Sequence, residues 1–352
     1  MKTFVFKYLA PVILISAQHG LAVAQAPSKD GRSMADIASY AGPDRMAKLV
    51  EGAKKEGELS VYYAHPIVKD MMDAFGQKYG IKVKAWRGGS EAMQQRIMTE
   101  ARAGRHDVDI FLTPSMDVEA AHREKLLQEV RSPVHQELVP TSVPAHRQWA
   151  AWNIEVWTLG YNTNLVKKDE LPKSWDDLAD PKWKGRLGIE ANNHVWFGTL
   201  IGQMGEERGR KLFENVVATN GISVRKGHSL LAGLVASGEV PLALTLYNWN
   251  TTTLKAKGAP VEQHLLPPLL GMQSGIAVMN KAPNPNAAIL FYDFVLNEGQ
   301  KISSDAGFIS TRKTIPSPLG NLPIKPIDAV QALDLNERWF KIFSETVTSK
   351  AK

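Results

Sequence analysis

The chain has 352 residues, is 44% hydrophobic and 22% charged, and contains no cysteine. That balance describes a folded globular protein, and the missing thiols exclude disulfides, thiolate metal centres, iron–sulfur clusters, a cysteine nucleophile and a cysteine-linked lipid. Its formal charge is only +6, 42 basic against 36 acidic residues, and no run of Lys and Arg interleaved with aromatics suggests a nucleic-acid surface.

Residues 1–24 open with Lys2 and Lys7, continue through an apolar stretch at 8–15 and end in Gly-Leu-Ala-Val-Ala. This is the layout of a secretory signal, with Ala22 and Ala24 as the small residues before the cut and Gln25 as the mature start. Gln18, His19 and Gly20 interrupt the apolar stretch too early for a membrane span, which needs about 20 such residues. Removal of Lys2 and Lys7 brings the formal charge from +6 to +4. Export without cysteine suits a bacterial periplasm, where a large core replaces the disulfides of small secreted domains.

After a helix that ends at Gly57, a strand–helix rhythm begins. Strands are predicted at 59–63, 81–86 and 109–112, with an amphipathic helix over 67–79 and another over 91–98, capped by Gly89 or Ser90. Residues 132–150 contain three prolines and no clean period, which marks a connection. A long strand follows at 151–161, then a short helix and turn at 175–185. Further alternation places strands at 187–189, 240–246 and 274–279, and helices at 196–204, 206–218, 229–237 and 285–296. Strands alternating with helices imply an α/β fold with a mostly parallel sheet covered on both faces. One hydrophobic core stops growing at roughly 250–300 residues, so two lobes with a cleft between them are expected.

The order of several short segments carries a resemblance. They are Gly57-Glu-Leu-Ser-Val-Tyr62, Tyr79-Gly-Ile-Lys-Val83, Asp107-Val-Asp-Ile110, Leu159-Gly-Tyr-Asn162, Trp175-Asp-Asp-Leu-Ala-Asp-Pro-Lys-Trp-Lys-Gly185, Ala236-Ser-Gly-Glu-Val240 and residues 282–296. Together they resemble the extracellular solute-binding proteins of ABC importers, in the branch that includes ferric-ion binders. The resemblance implies a two-lobed type II periplasmic binding fold with hinged parallel or mixed sheets and an interlobe ligand cleft. It places lobe one at 25–150 and 268–305 and lobe two at 151–267 and 306–352. The partners it implies are a small-molecule ligand and an ABC permease in the inner membrane. It leads us to expect a monomer with no nucleic-acid partner, no resident cofactor or metal, and no catalysis.

Ferric binders of that branch typically use two adjacent tyrosines with a His or carboxylate from the other lobe. A hard trivalent cation favours anionic oxygen and lowers a phenol's pKa enough to bind phenolate. By that correspondence Asn248 and Trp249 stand where the tyrosine pair falls, with Tyr247 one place earlier. Thr113-Pro-Ser115 stands where a carboxylate ligand is often found, and His65 lies one residue from the usual His. Missing anionic ligands favour an organic or phosphorylated anion over Fe³⁺, with ferric transport by non-standard ligands as the alternative.

The turn Arg87-Gly-Gly-Ser90 is the main anion candidate. A helix N-terminus offers unpaired N–H groups and about half a positive charge, Gly89 permits close approach, and Arg87 and Ser90 add donors. The resemblance adds Asn193, His194 and His228 as positions that hold an anion, and Arg225 can pair with one bidentately. Tyr247 and Trp249 suit an apolar or stacking wall. Trp149, Trp152, Trp157, Tyr62 and Tyr63 read as packing, and Asp176, Asp177 and Asp180 as caps. No nucleophile elbow, zincin, Walker or EF-hand signature is present. A secreted enzyme or a sensory receptor on the same fold are the remaining alternatives.

Overall fold

The computed structural model describes residues 31–350, so the expected signal segment lies outside the described residues. Among the described residues, eleven strands form the framework: β1 (Glu58–Tyr63), β2 (Lys82–Arg87), β3 (Ile110–Pro114), β4 (Ala150–Asn162), β5 (Leu187–Glu190), β6 (Ser223–Arg225), β7 (Leu242–Tyr247), β8 (Val261–His264), β9 (Leu269–Val278), β10 (Ile309–Ser310) and β11 (Ile324–Pro326). They run in the order β2-β1-β3-β9-β4-β7-β5-β6, with β10 and β8 on β4 and β11 on β9. The β1–β2, β1–β3, β5–β6 and β5–β7 pairs are parallel, whereas β9 joins both β3 and β4 in antiparallel fashion.

Strand β4 holds the two halves together. Its first half, through Val156, pairs with β9 and β10, and its second half, from Trp157, pairs with β7 and β8. Two large hydrophobic cores result, with two smaller clusters beside them among the described residues. One gathers Val61, Phe75, Phe111, Trp152 and the wholly buried helix Pro285–Leu296. The other gathers Leu159, Trp183, Phe197, Phe213 and, from the chain's end, Trp339 and Phe343.

Local signals account for several boundaries. Gly57 and Gly80 take left-handed conformations at φ 82° and 72°, each closing the helix before it. The helix after β2 is longer than its apolar pattern suggested, spanning Ser90–Arg102 with Gly89 as its N-cap. Strand β9 begins at Leu269, five residues before the predicted start, because all ten of its residues are buried and show no alternation. The segment after Ser174 is a 3-10 turn at Trp175–Ala179. Asp177 there accepts from the Lys173 and Ser174 amides at 2.7 and 3.1 Å, the capping role its spacing indicated. Among the described residues, no helix is long and apolar enough to cross a membrane.

Candidate functional site

A cavity of about 790 Å³ opens between the two halves. The C-terminal ends of β1 and β5, β7 and the middle of β4 all lead into it, as does the first turn of helix Ser90–Arg102. The other half contributes residues from the first turns of helices His194–Met204, His228–Ser237 and Asn248–Ala256. Ligands of open α/β sheets collect at such strand ends.

Nine of the sequence candidates line this space: His65, Arg87, Gly89, Ser90, Asn193, His194, His228, Tyr247 and Trp249. Arg87, Gly89 and Ser90 of that turn therefore face inward. A Cβ on Gly88 would lie 2.3 Å from the Trp86 ring, which would have to shift. Arg87 Nε donates to the Ala64 carbonyl at 3.2 Å, which ties the guanidinium to the cavity edge.

Four candidates do not line it. Thr113 turns its hydroxyl to Asp117 Oδ2 at 2.7 Å. Ser115 is fully buried with its Oγ 3.5 Å from the Met272 sulfur. Arg225 leaves the cavity for Glu239, at 3.2 Å. Asn248 ties β4 to the Gly307 backbone: its Nδ2 donates to Gly307 O at 2.6 Å and its Oδ1 accepts from the Val156 amide at 3.1 Å. Thus one of the two positions aligned with the tyrosine pair serves the backbone, and only Trp249 reaches the cavity.

Three buried carboxylates on the wall went unread in the sequence: Asp117, Glu155 and Glu190, which are 6%, 1% and 2% exposed. Glu155 Oε1 sits 2.9 Å from His65 Nδ1, and Ser274 Oγ lies 2.9 Å from the other ring nitrogen. Burial pushes the Asp117 carboxyl up to about 6, against hydrogen bonds from Thr113 and Ser90 that favour its charged form. Glu190 is likewise raised by burial and held back by the Gly227 and Asn192 amides. The available signal was a glutamate inside or at the end of an apolar strand, as in Asn-Ile-Glu155-Val-Trp and Leu-Gly-Ile-Glu190.

Aromatic rings form the remaining wall. Tyr247 packs on His228 at 4.4 Å and on Trp157 at 5.1 Å between ring centres, and lies parallel to Trp249 at 6.4 Å. Trp157, expected only to pack, thus joins the site, while its Nε1 donates to Asn193 Oδ1 at 2.7 Å. Burial holds the His228 imidazole down to about 3, so it is neutral at ordinary pH. Burial, with Glu155 and then Glu190 nearby, also keeps the Tyr247 phenol well above its usual range. The Trp249 indole nitrogen is buried without a hydrogen-bond partner among the described residues.

Metal-ligand geometry lies elsewhere. Among the described residues, one cluster of His, Asp or Glu donors falls within metal-binding reach, namely Glu119, His122 and His146, and none of the three lines the cavity. His146 Nδ1 accepts the Gln148 amide hydrogen at 3.1 Å, which leaves the ring proton on Nε2, 3.4 Å from Glu119. That nitrogen offers Glu119 a proton rather than offering an ion a lone pair.

A sheet divided between two halves by one shared strand, with strand ends and helix starts facing a common cleft, defines a two-lobed binding protein. Solved structures share the fold. Iron-bound HitA from Pseudomonas aeruginosa aligns with a TM-score of 0.69 and 25% identity over 80% of this chain and 99% of that one. The AfuA protein of Actinobacillus pleuropneumoniae, with exogenous fructose-6-phosphate bound, aligns with a TM-score of 0.73 and 23% identity over 83% and 99%. Residues 70–321 match the family described as bacterial extracellular solute-binding protein, and the chain belongs to that family. Iron uptake protein A1 of Synechocystis sp. is 24% identical over 286 residues, 74% of this chain and 77% of its own length. The Fe(3+)-binding periplasmic protein of Serratia marcescens is 26% identical over 216 residues, 59% of this chain and 62% of its own.

Proposed function

We propose that this chain is the exported receptor of an ABC importer, a monomer that encloses a small solute between its lobes in the periplasm. It then presents that solute, chemically unchanged, to a permease in the inner membrane. The proposed solute is an organic or phosphorylated acid that also carries hydroxyl or ammonium donors. One observation carries this reading: the cavity lining combines hydrogen-bond donors with buried acceptors. Arg87 and the first-turn amides of helix Ser90–Arg102 share it with the carboxylates of Asp117, Glu155 and Glu190. A ligand with anionic groups alone would face the three buried carboxylates, and desolvated like charges repel strongly. A purely cationic one would meet Arg87 and Lys226. A cavity of this size also exceeds what a bare ion needs, and the Trp157, Tyr247 and Trp249 rings suit an organic framework. Fructose-6-phosphate, named with the AfuA structure, illustrates the combination of acid and hydroxyl groups.

A second reading is ferric transport, favoured by the names of the relatives and by the Tyr247 phenol in the cavity beside His65 and Glu155. Thermal denaturation against hydroxy acids, amino acids, sugar phosphates, phosphonates, polyamines and ferric salts separates the two. A true ligand at about 100 times its Kd adds roughly 2.7 kcal/mol of stability. Stabilisation by one class of acid, with that compound recovered intact after release, supports the main reading. Stabilisation by ferric salts alone, with a visible tyrosinate absorption lost in Tyr247→Phe, overturns it in favour of iron.

A further inference from the structure

Glu190 ends β5, and its side chain is nearly inaccessible although it lines the cavity. Its Oε1 accepts the Gly227 amide hydrogen at 2.9 Å, and its Oε2 accepts from the Asn192 amide at 2.7 Å and from Asn193 Nδ2 at 3.0 Å. Gly227 has φ 106°, a conformation that disfavours any side chain, and directly precedes helix His228–Ser237. Asn193 is the N-cap of helix His194–Met204. Its amide cannot turn round, because its oxygen already accepts the Trp157 indole proton. Two helix starts therefore aim three donors at one buried carboxylate, with no side-chain cation among those partners. That is the donor set a free oxyanion would seek.

We propose that Glu190 is a tethered anion that permanently fills the oxyanion seat of lobe two. No free phosphate or carboxylate enters there, no co-bound anion is needed for ligand capture, and a ligand group presented to Glu190 must be a hydrogen-bond donor. This rests on the interlobe cavity being the solute site, as argued above, and it assigns the acidic end of the solute to the Arg87 side.

The role differs from simple capping in what removal does. If Glu190 only braced the loops, truncation would lower stability and nothing more. If it fills a seat, truncation opens one. The purified protein, Glu190→Ala and Glu190→Ser are titrated with inorganic phosphate at constant ionic strength by calorimetry. Folded variants are expected to bind one more equivalent than the wild type, about tenfold or more above any residual wild-type binding at that place. Crystals should show that phosphate on the Gly227 and Asn192 amides. Folded variants that gain no phosphate overturn the proposal. Should both variants fail to fold, wild-type crystals grown in concentrated phosphate decide: Glu190 in place with those amides supports it, and phosphate on them with Glu190 displaced overturns it. None of these measurements uses the transported solute, so an error about ligand class leaves this test intact.

Discussion

The two faces of the cavity solve the same problem in different ways. Each presents a helix start and each buries a carboxylate nearby. In lobe two the carboxylate of Glu190 takes backbone amides directly, so the positive end of helix His228–Ser237 is already compensated. In lobe one Asp117 takes side-chain hydroxyls from Thr113 and Ser90, and the first-turn amides of helix Ser90–Arg102 have no intrahelical partner. Arg87 stands beside them. One wall is thus saturated and the other is receptive, which gives an enclosed ligand a direction.

The largest expected effect comes from removing a buried acceptor. Glu155→Ala removes a buried carboxylate and strands His65, so the affinity for the captured solute should fall about 10–100-fold, the worth of a charged hydrogen bond. Calorimetry checks this, and unchanged affinity would remove Glu155 from the site. Next is Asp117. Its folded pKa of about 6 exceeds the ordinary 3.8. The native state therefore holds a proton more tightly between those values, and the associated stability is present at low pH and lost as pH rises through about 6. Asp117→Asn should consequently raise stability at pH 7.5 by about 1–3 kcal/mol relative to wild type, with the gain vanishing below about pH 4. Urea denaturation across that range measures it, and a gain independent of pH would contradict the assignment.

The receptive wall gives a smaller response. Arg87→Glu should weaken binding of an acidic ligand by about tenfold without unfolding the protein, and Ser90→Pro, at a first helical position that accepts proline, should do the same by removing the N–H and hydroxyl there. Equal affinity in both variants would detach that turn from ligand recognition. Smallest of all is the contact across the cavity mouth, where Lys226 Nζ lies 3.7 Å from Glu91 and both side chains are exposed. Lys226→Ala should change closure by less than about 0.5 kcal/mol, and the change should disappear in high salt.

The alternation of strands and helices was legible because each element carries its own period and its own terminator, such as Gly57 and Gly80. The turn at 87–90 was legible for the same reason, as a strand end meeting a helix start. What a linear reading could not supply is the direction of a side chain at such a junction. Ser115 and Asn248 both begin helices after strands, yet one faces the Met272 sulfur and the other ties β4 to Gly307. Glu155 and Glu190 were hidden for a different reason. Each is a lone charge in an apolar strand, and its partners lie far away in sequence: His65 for one, Gly227 for the other. Only the folded chain brings those donors to the acid.

The most direct test is a crystal structure of the protein with the solute found by thermal screening. We expect an organic acid in the cleft, its acidic group on Arg87 and the Gly89–Ser90 amides and a hydroxyl or ammonium group toward Glu155 or Glu190. A ligand seated outside the cleft, one bound in the reverse direction, or a ferric ion on Tyr247 with no organic acid present would contradict it.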